Sequence, residues 1–167
     1  MKNTSKYVRI LVTQGVIAAI YVALATLLQA ISFGPVQFRV SEALTVLPFL
    51  SPFATIGVTL GCFISNLIFM SVNGPLDLIF GTLATLIAAL LTSKMKNRWL
   101  APLPPVAVNA VIIGAMLAWV LTPDAFWINF WINMATVGLG QICACYILGM
   151  PLMAALERTK LFRDDRK

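Results

Sequence analysis

Arg39 and Glu42 stand three residues apart in an otherwise apolar stretch, and Asp77 lies near the start of another. Three amides, Asn66, Asn109 and Gln141, are set singly into further apolar stretches. A guanidinium only donates hydrogen bonds, an ionised carboxylate only accepts them, and an amide does both. Together such groups can recognise a small polar solute by charge and hydrogen bonding. They are poorly equipped for catalysis, because the chain has no His, the commonest general base. It also lacks a Gly-rich phosphate loop ending in Lys-Ser/Thr, a Gly-x-Ser-x-Gly and a His-Glu-x-x-His. Cys62, Cys143 and Cys145 sit in apolar surroundings, with no His and no second cysteine pair to complete a zinc site. They read as small buried apolar residues, and neither a metal nor a cofactor is expected.

The elements that position these groups must live in lipid. The 167-residue chain is 60% hydrophobic and 11% charged, with mean hydropathy +0.91. Soluble domains are roughly half apolar and a quarter charged. Apolar runs of about 20 residues recur, enough to cross a hydrocarbon core of about 30 Å. The runs are continuous rather than alternating, so they read as helices that bond their own backbones. The expectation is an all-α, polytopic membrane protein of six transmembrane helices, near 8–31, 35–50, 53–72, 75–92, 103–121 and 126–156. The first run is too long for a cleavable signal. The second reaches only about 24 Å at about 1.5 Å per residue, so it is expected to be sunk, tilted or met by a thinned bilayer. Pro102, Pro104 and Pro105 suit a helix entrance, whereas Pro151 is expected to kink or end the last span. Loops are short and no linker intervenes, which implies one domain over 1–167 with tails near 1–7 and 157–167.

Eleven of the twelve Lys and Arg fall into three clusters: Lys2, Lys6 and Arg9; Lys94, Lys96 and Arg98; and Arg158, Lys160, Arg163, Arg166 and Lys167. By the positive-inside rule all three are cytoplasmic, as are both termini. The net charge of +6 therefore reads as orientation and contact with anionic lipid, not nucleic-acid binding. Four crossings must separate the first two clusters, so the short second run has to cross. This topology puts Arg39, Glu42, Asp77 and Asn66 in the outer half of the bilayer, with Asn109 and Gln141 nearer its middle. Ionisable groups at membrane depth are costly and usually face a cavity or a partner. Their grouping in one half suggests a pocket open to the outside, not a path through the membrane.

Blander readings stand beside this one. Arg39 and Glu42 are spaced to pair with each other on a helix, and Asp77 to cap the fourth helix. The amides can serve as interhelical glue. Trp99, Trp119, Trp127 and Trp131 read as interfacial anchors, Trp127 and Trp131 being the best placed of them to stack on a ligand. Gly15, Ala19 and Ala23 form a small-residue ridge along the first helix, widened by Ala18 and Ala25. Such a ridge serves either the protein's own bundle or a separate membrane subunit.

The run Phe38-Arg39-Val40-Ser41-Glu42-Ala43-Leu44-Thr45-Val46-Leu47-Pro48 resembles the signature of the QueT family, substrate-binding S components of energy-coupling factor (ECF) transporters. The likeness continues in Gly61-Cys62-Phe63-Ile64-Ser65-Asn66, in Asp77-Leu78-Ile79-Phe80-Gly81-Thr82, from Pro104-Pro105 through Asn109-Ala110, and in Val137-Gly138-Leu139-Gly140-Gln141. It implies a six-helix S component that captures a queuosine precursor, 7-aminomethyl-7-deazaguanine or queuine, in the bacterial plasma membrane. The implied partners are a membrane coupling subunit and two ATPase subunits, with Ala19 and Ala23 matching the family's docking face. Gln141 departs from the pattern, which places Glu after the late Gly-Leu-Gly. A deazaguanine presents an N–H and amine edge that suits a carboxylate such as Glu42 or Asp77, the other facing an aminomethyl cation, with Asn66, Asn109 or Gln141 completing the pattern. The rival readings are a self-contained small-solute carrier or channel, and a membrane enzyme built around Asp77.

Overall fold

The computed structural model describes residues 2–28, 39–159 and 162, and these form helices joined by short connections. The elements are α1 (Lys2–Leu27), a 3-10 helix (Val40–Phe49), α2 (Ala54–Ile68), the short α3 (Met70–Asn73), α4 (Pro75–Ser93), α5 (Leu103–Leu121), a 3-10 turn (Pro123–Ala125), α6 (Phe126–Ile142), a π-helical segment (Cys143–Gly149) and α7 (Met150–Glu157). Four helical stretches are long and apolar enough to cross a membrane: Lys6–Leu27, Pro75–Ser93, Leu103–Leu121 and Pro123–Glu157. Val40–Phe49 and Ala54–Ile68 are apolar but shorter. The expected end of the first run at 29–31, the start of the second at 35–38, and Lys160, Arg163, Arg166 and Lys167 lie outside the described residues.

Glycines reveal how the helices run. An added Cβ on Gly57 would lie 2.9 Å from the Gln14 carbonyl oxygen, and one on Gly61 would lie 2.6 Å from the Tyr21 Cβ. Later residues of α1 thus meet later residues of α2, and the two helices run in the same direction. Cys62 pairs with Thr85, and Asn66 with the Asp77 carbonyl, so α4 runs opposite to α2. Gly114 lies against Met134, and Gly138 against Ala110, so α6 runs opposite to α5. Parallel α1 and α2 require the chain to return between them, and the 3-10 helix lies in that return. Arg98 pairs with Glu157 at 3.6 Å, and the Tyr146 hydroxyl donates to the Trp99 carbonyl at 3.1 Å. The basic loop and the end of α7 therefore share one end of the bundle.

The 3-10 helix differs from the expected short α-helix in winding and in setting. At about 2 Å per residue its ten residues span about 20 Å. Ser41 to Phe49 are all buried, so its poorer backbone geometry is enclosed by protein, where membrane proteins tolerate it. Two other expectations shift. The third run breaks at Phe69 into α2 and α3. The helix after Phe126 continues through Pro151, preceded by the π segment. A proline cannot donate to the carbonyl four residues back and crowds it, and the wider π winding is the irregularity that accompanies it here.

Candidate functional site

Three of the polar residues singled out by type and spacing, Arg39, Asn66 and Asp77, converge where α2 ends and α4 begins. Arg39, at the head of the 3-10 helix, donates through Nη2 to the Asn66 Oδ1 at 2.8 Å, and its Nη1 lies 3.8 Å from the Asp77 Oδ1. Asn66 Nδ2 donates to the Asp77 carbonyl at 3.1 Å and to Cys62 Sγ at 3.4 Å. Thr85 Oγ1 donates to the same sulfur at 3.2 Å. All of these residues are buried, Asn66 to 1% exposure and Asp77 to 6%. Gly81 makes room for the arrangement, since an added Cβ there would sit 2.8 Å from Asn66 Nδ2 and 3.2 Å from Asp77 Oδ1.

Glu42 lies one turn further along the 3-10 helix and does not take Arg39 as its partner. Its Oε1 accepts from the Tyr21 hydroxyl at 2.6 Å. Its backbone carbonyl accepts from Thr45 Oγ1 at 2.6 Å and from Cys145 Sγ at 3.5 Å. The Cys145 thiol also lies 3.5 Å from Gln141 Oε1, which brings Gln141 to the same side of Glu42. In place of the blander reading, an Arg39–Glu42 pair, the hydrogen bonds run Arg39–Asn66–Asp77 on one side and Tyr21–Glu42 on the other. Asn109 is buried on α5. Glu42 Oε2 and Asn109 Nδ2 are buried without a hydrogen-bonding partner among the described residues. Leaving such atoms unpaired costs about 1–3 kcal/mol each; Gln14, Thr55, Thr59, Ser65, Thr82 and Arg98 hold others, and Glu42 and Asn109 are the two that the sequence had also singled out.

Several residues of this network escaped sequence reasoning. Tyr21 is a hydroxyl in the middle of a long apolar run, and that was its available signal. Cys62 and Cys145, expected to be inert packing, each bridge polar groups from two elements. The tryptophans do not join the cluster. Trp99, Trp119, Trp127 and Trp131 are 59% exposed or more, and Trp127 and Trp131 belong to an aromatic row with Phe126 and Phe130. Asn129 spends its amide on the Ala125 carbonyl.

The small-residue ridge divides by face. Ala18 and Ala25 are buried beside Ile17 and Tyr21 within the bundle, while Gly15, Ala19 and Ala23 are exposed. The exposed three line an apolar groove of about 700 Å³ whose far wall is Leu60 and Ile64. A second apolar groove, of about 600 Å³, lies between α4 and α5 near Trp119 and Phe126. Neither is lined by Arg39, Glu42, Asn66 or Asp77, so the polar side chains close upon one another instead of facing these grooves.

Residues 11–158 match the family described as QueT transporter. Over 101 residues the chain is 45% identical to a protein of Lactococcus lactis subsp. cremoris (strain MG1363) named queuosine precursor transporter QueT, a match covering 59% of this chain and 57% of that protein. The matched region thus takes in little more than half the length of that relative. No solved structure matches the chain.

Proposed function

The chain belongs to the QueT transporter family, and from that membership we propose that it is the substrate-capture subunit of an ATP-driven ECF importer. Its solute is a queuosine precursor, 7-aminomethyl-7-deazaguanine or queuine, taken from outside the cell. The observation that carries this reading is the buried Glu42 Oε2, unpartnered among the described residues, beside the Arg39–Asn66–Asp77 network. A carboxylate oxygen held in this way is an acceptor for the N–H and amine edge of a deazaguanine, and Asn109 Nδ2 is a donor for its ring carbonyl. With both carboxylates ionised, Arg39, Glu42 and Asp77 carry one net negative charge. An aminomethyl cation would neutralise it, which matters where an unbalanced buried charge is costly.

Six crossings fit the parallel α1 and α2, with the 3-10 helix as the short second span. Both termini and the basic loop then face the cytoplasm, and the polar cluster lies toward the outer face. Arg39, Asn66 and Asp77 are already engaged with one another, so capture requires these three to open and exchange partners, while Glu42 Oε2 and Asn109 Nδ2 are unpartnered among the described residues. The groove along Gly15, Ala19 and Ala23 is the docking face for the membrane coupling subunit, because α1 packs its other face, at Ile17, Ala18 and Tyr21, against α2. Two ATPase subunits bound to that partner supply the energy, as the chain has no nucleotide loop of its own.

Calorimetry on detergent-purified protein tests the reading. It is expected to bind a deazaguanine carrying an aminomethyl group, with Glu42→Ala and Asp77→Ala each weakening binding at least tenfold. Unchanged affinity in both variants would overturn the site assignment.

A further inference from the structure

Glu42 is held from several sides, and the shortest hydrogen bond to its carboxylate comes from α1. Tyr21 is fully buried, and its hydroxyl donates to Glu42 Oε1 at 2.6 Å, the short distance of a charge-assisted O–H···O bond. The ring is fixed in turn: its Cβ abuts Gly61 so closely that an added methyl there would lie 2.6 Å away. The Glu42 backbone is pinned through its carbonyl by Thr45 and Cys145. The terminal torsion of a glutamate is otherwise broad, so without Tyr21 the carboxylate plane would be free to turn about its last bond and its aim would be lost. With Tyr21 one oxygen is occupied, and the other, Oε2, is left buried and unpartnered among the described residues.

We infer that Tyr21 is a positioning residue for ligand specificity: by anchoring Oε1 it holds Oε2 toward the donor edge of the ligand. This rests on the proposed reading that Glu42 meets a deazaguanine, and goes beyond it in naming the group that sets the carboxylate's aim. A pre-aimed acceptor discriminates strongly against a ligand missing the matching donor, because the acceptor is then left unpaired. A freely turning carboxylate discriminates less. A bond that merely tied α1 to the 3-10 helix would affect all ligands alike.

The test compares Tyr21→Phe with the unaltered protein for two probes, 7-aminomethyl-7-deazaguanine and its analogue lacking the exocyclic 2-amino group. The expected result is that the substitution lowers the affinity ratio between the probes by about tenfold, chiefly through weaker binding of the aminated probe. An unchanged ratio, with or without an equal loss for both probes, would overturn the inference. Glu42→Gln serves as the control. If it collapses the ratio while Tyr21→Phe does not, the inference fails and the reading of Glu42 stands. If neither variant alters binding of either probe, that reading fails as well. Should Tyr21→Phe not fold, the protein carrying Tyr7→Phe and Tyr146→Phe keeps Tyr21 as its sole tyrosine. Binding of the aminated probe is expected to shift its phenolic C–O infrared band, and an unmoved band would overturn the inference.

Discussion

Arg39 and Asp77 illustrate what a buried charge demands. Each is buried to less than a tenth exposure, and the guanidinium spans Asn66 and Asp77. Removing one partner strands the other, which typically costs about 3–5 kcal/mol, whereas replacing both by apolar residues of similar size is often neutral. Asp77→Asn is therefore expected to lower the unfolding temperature in detergent clearly, while Arg39→Met combined with Asp77→Leu lowers it less than either single change. The double variant should nonetheless fail to bind a deazaguanine. Gly81 gives a subtler test. Gly81→Ala would put a methyl 2.8 Å from Asn66 Nδ2, and it should weaken ligand binding while leaving the helix content by circular dichroism unchanged. With both carboxylates ionised the cluster's net negative charge predicts a ligand order too: calorimetry should show 7-aminomethyl-7-deazaguanine binding more tightly than its analogue lacking the aminomethyl group.

At the scale of elements, α1 does two jobs with two faces. Tyr21 lies about 200° round the helix from both Ala19 and Ala23, so one face grips Glu42 while the other lines the exposed groove. The inner face depends on glycine. Gly61→Ala would force its Cβ within 2.6 Å of Tyr21 and 3.1 Å of the Ala18 Cα, and overpacking of this kind costs about 1–3 kcal/mol. Lower thermal stability together with weaker ligand binding is expected. On the outer face Ala19→Leu with Ala23→Leu should leave ligand affinity intact and abolish co-purification with the proposed coupling subunit. The 3-10 helix is the other telling element. Its length was legible in the sequence as a shortfall against the bilayer, but its winding was not. A ten-residue 3-10 run is uncommon, and enclosure by α1, α4 and the π segment makes it tenable.

For the whole molecule, the helix directions are decisive. If α1 and α2 run together through the bilayer, then Lys6, the 94–98 loop and Arg158 share one side. Thiol labelling in intact cells, with Cys62, Cys143 and Cys145 replaced, should leave Lys96→Cys protected and label Asp124→Cys. Labelling of Lys96→Cys from outside would reverse the orientation and remove the argument for an outward-facing site. The proposed capture role also predicts that the chain alone in liposomes binds a deazaguanine without accumulating it, whereas a self-contained carrier would mediate flux.

The sequence by itself determined the solvent, the helical backbone and the short list of side chains worth suspecting. Apolar run length and the scarcity of charge depend only on composition along the chain. It also named Arg39, Glu42, Asn66, Asp77, Asn109 and Gln141 as candidates, because a polar residue in lipid is conspicuous wherever it lies. Only the tertiary structure decided the pairing. Spacing on one helix favoured Arg39 with Glu42, but a 3-10 winding and the arrival of α2 and α4 gave Arg39 to Asn66 and Asp77, and gave Glu42 to Tyr21 on α1. Side chains choose partners by distance across helices, and that distance is set by where Gly57, Gly61 and Gly81 allow backbones to meet.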